Sequence, residues 1–175
     1  MGKISFFSSI LILISLSVTC AYAAGDKVYT DEEVSAKNAI VYDNALNTPV
    51  NGILKQYFES GILKNATQYK NGKKDGVSNI YNRSGVLLWE IPFKDGEKNG
   101  VARKHGQTGA LIAEIPFKEG KINGVEKHYY QSGKLKEEIP YTDNEINGVR
   151  KWYSESGELE KERLYKDDNV CTAKE

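Results

Sequence analysis

The sequence predicts an all-β chain, an elongated single-layer antiparallel β-meander of five 24-residue hairpin repeats. Three observations predict it. Asn51-Gly52, Asp75-Gly76, Asn99-Gly100, Asn123-Gly124 and Asn147-Gly148 recur every 24 residues without slippage, and so do Gly61, Gly85, Gly109, Gly133 and Gly157. The same period aligns three apolar columns: Ile53, Val77, Val101, Val125 and Val149; Leu63, Leu87, Leu111, Leu135 and Leu159; and Tyr69, Phe93, Phe117, Tyr141 and Tyr165. Within each unit two segments of period-2 alternation flank a glycine-containing turn, the pattern of a hairpin. A fixed period of this length signals a repeat architecture, in which each unit buries its surface on its neighbours.

The first residues read as an export signal: Lys3 supplies the positive end, an apolar run extends from Ile10 to Val18, and Ala21-Tyr22-Ala23 fits a small-x-small cleavage site. Cleavage is expected after Ala23, giving residues 1–23 as signal peptide and an exported product, periplasmic or secreted. The apolar run is shorter than the ~20 residues that span a bilayer, so no transmembrane span is expected in the mature chain. Acylation at Cys20 is the alternative, but Ser17-Val18-Thr19 lacks the leucine that such a signal places three residues before its cysteine.

Residues 24–50 fall outside the period and are expected to cap the array, because repeat arrays need atypical ends. Thr30-Asp31-Glu32-Glu33 fits a capping box and a short helical turn. A strand is expected over Asn38 to Tyr42, and a loop over Asp43 to Val50. Five repeats then fill 51–170, at about 52–75, 76–99, 100–123, 124–147 and 148–170, and 171–175 form a tail. Cys171 there has no partner once the signal is removed, so no disulfide is expected.

In the fourth unit, Val125 to Tyr129 and Leu135 to Ile139 flank Gln131-Ser132-Gly133. Glycine at the third loop position suits a type I turn with a left-handed residue and a bulge. That loop sets Tyr129 opposite Leu135 and Val125 opposite Ile139, which would gather the apolar columns on one face. Trp152 would then lie on the opposite, polar face. Arg150 would pair with Glu162 across strands. Pro92, Pro116 and Pro140 cannot donate to a ladder and are expected at strand ends or bulges.

The 24 basic and 24 acidic side chains cancel, so no net field favours nucleic acid. Glu90, Glu114, Glu138 and Glu162 form a carboxylate column. Equivalent residues lie two strands apart, about 9.5 Å, too far to share a metal ion without other donors. His105 and His128 fall at different columns and on opposite faces. No nucleophile stands at triad-like spacing from a base, and no glycine-rich phosphate loop precedes a helix. Catalytic residues, cofactors and metals are therefore not expected. Tyr57, Tyr81, Tyr129 and Tyr153 form an aromatic column that a thin sheet leaves partly wet, and these four with Trp152 are the candidate partner-binding residues. Another protein is the expected partner, with stacking on a cell-wall glycan as the alternative.

The unit reads approximately N-G-V-x-K-x-Y-Y-x-S-G-x-L-x-x-E-I-P-F-K-x-G, and over residues 51 to about 168 it resembles the MORN-repeat variant family. The resemblance implies a single-layer antiparallel sheet that binds other molecules without catalysis. Many bacterial members are antitoxin components and others are exported proteins, so neutralising a toxin by direct binding is a further alternative. Departures from the pattern are His105-Gly106 for Tyr129-Tyr130, Asn144 for the glycine of Gly72, Gly96 and Gly120, and Thr67 and Arg163 for the isoleucine of the middle units.

Overall fold

The computed structural model describes residues 26–171. The signal segment, Cys20 and the tail beyond Cys171 lie outside the described residues. Each unit contributes a six- to nine-residue strand and an eight-residue return strand, as in Gly124–Tyr129 and Leu135–Thr142. The units follow one another as an open meander in a 15-stranded sheet. All its pairings are antiparallel except one, where Val28–Tyr29 runs parallel to Gly52–Tyr57 at the N-terminal edge.

Two turn types alternate along the sheet. At the hairpin tips Gly133 has φ +84°, and its N–H donates to the Tyr130 carbonyl at 2.9 Å, closing the three-residue loop. Between units, residues such as Asp95 and Gly96 both have positive φ, 51° and 96°, and Phe93 pairs with Lys98 around them. Positive φ at both central residues is the type I′ geometry that matches the twist of the flanking strands. Each such turn leans on the preceding unit: the N–H of Gly120 donates to the Lys98 carbonyl, and that of Asn144 to Ile122, both at 2.9 Å. Asn144 replaces glycine here without losing the turn. Its side chain takes the N–H of Ile122 at 2.7 Å, and asparagine tolerates the left-handed region.

The register differs from the expected one. Tyr129 does pair with Leu135, but the ladder then skips Lys136, so His128 faces Glu137, Glu126 faces Ile139 and Val125 faces Pro140. The same shift recurs in the other units. One extra residue per hairpin sends the Tyr57–Tyr153 column and the Tyr69–Tyr165 column to opposite faces. The physical reason is that, among the described residues, no second layer covers the sheet beyond its first unit. A sheet with both faces in water gains more from distributing its apolar rows over both than from collecting them on one that nothing covers.

The prolines lie inside return strands, at neither an end nor a bulge: Pro92, Pro116 and Pro140 pair with Val77, Val101 and Val125. Their carbonyls accept from Asn99, Asn123 and Asn147 at 2.9 to 3.0 Å. A residue's N and C=O point the same way in an antiparallel strand, so the missing N–H faces the next unit beyond its last ladder rung and no bond is lost. The Asn-Gly glycine passes directly over this ring. Gly100 has φ +110°, and a Cβ there would stand 3.0 Å from Pro92 Cγ. Gly100 also pairs with Phe117, as Gly124 does with Tyr141 and Gly148 with Tyr165, leaving room for the ring opposite.

Residues 26–50 cover the N-terminal edge. Thr30 N donates to Glu33 Oε2 at 2.7 Å, closing a 3-10 turn over Asp31–Glu33. Val34–Lys37, Ile40–Asp43 and Thr48–Pro49 form a separate three-stranded sheet, so part of the expected loop is strand. Tyr29, Val50 and Leu54 form the buried cluster, with Val34, Val41 and Tyr69 against it. Burying a side chain of the valine or leucine class contributes roughly 1.5–3 kcal/mol, so Val50 and Leu54 anchor these residues to the first unit. Asp43 is buried beside it and takes Lys27 Nζ at 2.7 Å and the N–H groups of Ala45 and Leu46. The Lys27 ammonium and then those backbone donors hold the Asp43 carboxyl below the usual range. Thr67, which stands where the middle units carry isoleucine, is buried and shares a 2.7 Å hydrogen bond with Ser78.

Candidate binding faces

The tyrosine face carries three rows that run across the strands. In the first, Val77 stands against Pro92, Val101 against Pro116, Val125 against Pro140 and Val149 against Leu164. The four valines are between 39% and 45% exposed. In the second, register places Glu90, Arg103, Glu114, Lys127, Glu138, Lys151 and Glu162 side by side on successive strands. A cation therefore stands between each two members of the carboxylate column. Such opposite-charge cross-strand pairs contribute roughly 0.2–1 kcal/mol each. Arg150 pairs with Arg163 and not with Glu162 as expected.

Tyr57, Tyr81, His105, Tyr129 and Tyr153 form the third row, each paired with the leucine of its unit. Here the tyrosines do structural work. Tyr129 Oη donates to Glu114 Oε2 at 2.8 Å and Tyr153 Oη to Glu138 Oε2 at 2.9 Å, each reaching back to the previous unit. Burial, followed by the Glu114 carboxylate, pushes the Tyr129 phenol up to about 12. The Glu138 hydrogen bond, followed by burial, raises that of Tyr153. His105 occupies the same place against Glu90, with Nε2 at 3.4 Å from Oε2 and Nδ1 at 3.0 Å from the Gly109 carbonyl. Tyr81 would meet residue 66, which is alanine, so its hydroxyl bonds to no other described side chain. Of the four candidate tyrosines, Tyr57 and Tyr81 keep free hydroxyls among the described residues, while Tyr129 and Tyr153 do not.

The opposite face holds both tryptophans in one row: Trp89, Lys104, Ala113, His128, Glu137, Trp152 and Lys161 follow each other strand by strand. Trp89 and Trp152 are thus five strands apart, about 24 Å. This face is not the polar one expected for Trp152, because the bulge also brings Ile139 and the Tyr69–Tyr165 column to it. Arg150 lies over the Trp152 ring at 4.7 Å and Lys161 at 5.2 Å, while Lys104 lies over Trp89 at 5.3 Å. Arg150 also holds Glu137 Oε1 through Nη2 at 2.6 Å and Nε at 2.7 Å. A sugar stacking on Trp152 would have to displace these cations.

Concavities on the molecule are open. One of about 780 Å³ lies among Lys70, Lys73, Asp75, Phe93, Lys94 and Asp95 near the turns of the first units. Among the described residues, no three His, Cys, Asp or Glu side chains converge as a metal site requires, and no helix is long and apolar enough to cross a membrane. Two features escaped the sequence reading: the exposed valine–proline row and the tyrosine–glutamate coupling. The second had a signal, since the tyrosine column trails the glutamate column of the preceding unit by a constant 15 residues. Residues 50–71, 122–143 and 146–167 match the MORN repeat variant family, and the units between carry the same columns at the same period. No curated protein matches the chain.

Proposed function

The chain is a MORN repeat variant protein, and on that premise we propose that it is an exported, non-catalytic module that binds another protein through its tyrosine face. Such repeats are associated with protein- or membrane-binding modules. The observation that carries the protein reading is the row of Val77, Val101, Val125 and Val149, each well exposed at one register on a face that no second layer covers among the described residues. Contiguous exposed apolar surface of this kind marks interaction sites. The alternating charges beside it fix the orientation of a partner, and the half-wet Tyr57 and Tyr81 add contacts at one end of the row.

Crosslinking of the tagged protein in the envelope fraction tests this reading. A defined protein should be captured by the wild type and lost with the double substitution Val101→Asp and Val125→Asp, both at exposed positions. Undiminished capture by the double variant, or saturable binding to purified cell wall with no protein captured, would sink it. Export is tested separately by mass spectrometry, which should find a mature chain starting at Ala24.

A further inference from the structure

We propose that the C-terminal edge strand, Leu159–Lys166, is a docking site for an extended strand of a partner protein, one presenting apolar, acidic, basic, any residue and tyrosine in succession. The two ends of the sheet are built differently. The N-terminal edge strand is occupied by Val28 and Tyr29, which pair with Ile53 and Leu54, and by Asp31, which holds the Gln56 side chain at 2.7 Å. Among the described residues, Leu159–Lys166 pairs on its outer side only with Asn169–Val170, and its residues 159 to 164 are all exposed. The Leu164 carbonyl takes the N–H of Cys171 at 2.9 Å, so it points to this open edge. Alternation along the strand turns the N–H and C=O of Glu162 the same way. An edge of unpaired backbone groups is a template for another strand.

The chemistry of the occupant follows from what the edge lacks. Among the described residues, Glu162 is the last member of the alternating row and has only Lys151 beside it. The three preceding carboxylates each receive a hydrogen-bonding ring from the following unit: Glu90 from His105, Glu114 from Tyr129, Glu138 from Tyr153. Glu162 receives none among the described residues. An antiparallel strand in the register used between the inner units, where Glu138 faces Lys151, would set a basic residue opposite Glu162. Two residues further on, its tyrosine would reach the same carboxylate. One residue earlier an acid would meet Arg163, and before that an apolar side chain would meet Leu164.

A second copy of this chain does not fit. A two-fold axis normal to the sheet pairs like with like, and any register centred between Glu160 and Arg163 sets Glu160 or Glu162 against a glutamate, or Lys161 or Arg163 against a cation. Like charges directly opposite are destabilising. Head-to-tail stacking would bring Lys55 to Glu162, but the strand bearing Lys55 is covered by residues 28–31. This inference rests on the binding-module reading and assigns it a second surface, so the valine-row variant above and the variants below fail independently.

The test uses the full chain and a synthetic peptide of the sequence Gly124–Tyr129, which carries the required order Val, Glu, Lys, His, Tyr. Saturable amide shifts in NMR spectra should centre on residues 160 to 164. Exchanging Glu and Lys in the peptide, or introducing Glu162→Lys in the protein, should weaken binding roughly tenfold, and combining the exchanged peptide with the double substitution Glu162→Lys and Arg163→Glu should recover part of it. The circular dichroism spectrum of the variant should be unchanged. Equal affinity for both peptides, shifts elsewhere on the sheet, or no saturable binding would overturn the proposal.

Discussion

The phenol of Tyr129 donates to the Glu114 carboxylate 2.8 Å away, across the boundary between two units. Neither strand carrying them needs this bond to form its own hairpin, so it adds to the coupling between neighbours, the term that makes a repeat array fold together.

Removing that bond should lower cooperativity as well as stability. Tyr129→Phe keeps the ring against Leu135 and loses only the hydroxyl. A hydrogen bond to a charged acceptor contributes about 1.5–3 kcal/mol when buried; partial exposure of Glu114 reduces this to about 1 kcal/mol. Urea denaturation should show that loss, and an unchanged midpoint would refute the coupling.

The same bond gives an alkaline pH dependence with a defined sign. Tyr129 titrates at about 12 in the fold, against 10.0 in the ordinary group. A raised value means that the neutral phenol is favoured by the fold. The contribution is complete below pH 10 and disappears as the pH rises toward 12. Spectrophotometric titration should contain a late-ionising tyrosine that is absent from Tyr129→Phe.

Restoring the pattern where it is broken should stabilise the chain. His105 stands where the neighbouring units carry tyrosine, and its 3.4 Å contact with Glu90 is longer than the 2.8 and 2.9 Å bonds of Tyr129 and Tyr153. His105→Tyr should therefore raise the unfolding free energy, by about 1 kcal/mol. Ala66→Glu should do the same for Tyr81, placing a carboxylate beside Lys55, with which residue 66 pairs. A lower melting temperature in both variants would show that the column's geometry is not transferable.

Two glycines that look alike in the sequence should respond differently to alanine. At Gly133, φ is +84° and a Cβ would meet nothing within 4 Å, so Gly133→Ala should cost only the backbone penalty, about 1 kcal/mol. At Gly100, the Cβ would also press on Pro92 at 3.0 Å, adding strain to the left-handed backbone. Thermal melts should rank Gly100→Ala below Gly133→Ala, and the reverse order would contradict the stacking of glycine on proline.

Trp152 reports on its own surroundings. Arg150→Ala removes a cation 4.7 Å from the ring and frees Glu137. Its fluorescence should shift and become easier to quench, and an unchanged spectrum would mean that the guanidinium does not hold the indole in solution.

The period alone determined that this chain is an open antiparallel sheet of hairpins, because a hairpin tip needs a left-handed residue and glycine marks each one. It also placed Tyr129 against Leu135, since loop length sets the first rung. It did not disclose the skipped residue at Lys136, because Leu135-Lys136-Glu137 alternates as regularly as any unbulged strand. That one residue decides which columns share a face: it separates Tyr129 from Tyr141, brings Glu114 under Tyr129, and sets the valines in the open beside the prolines. A column is a property of the chain, whereas a face depends on how two strands meet. Only the packed sheet, balancing two wet surfaces without a core between them, could settle the second.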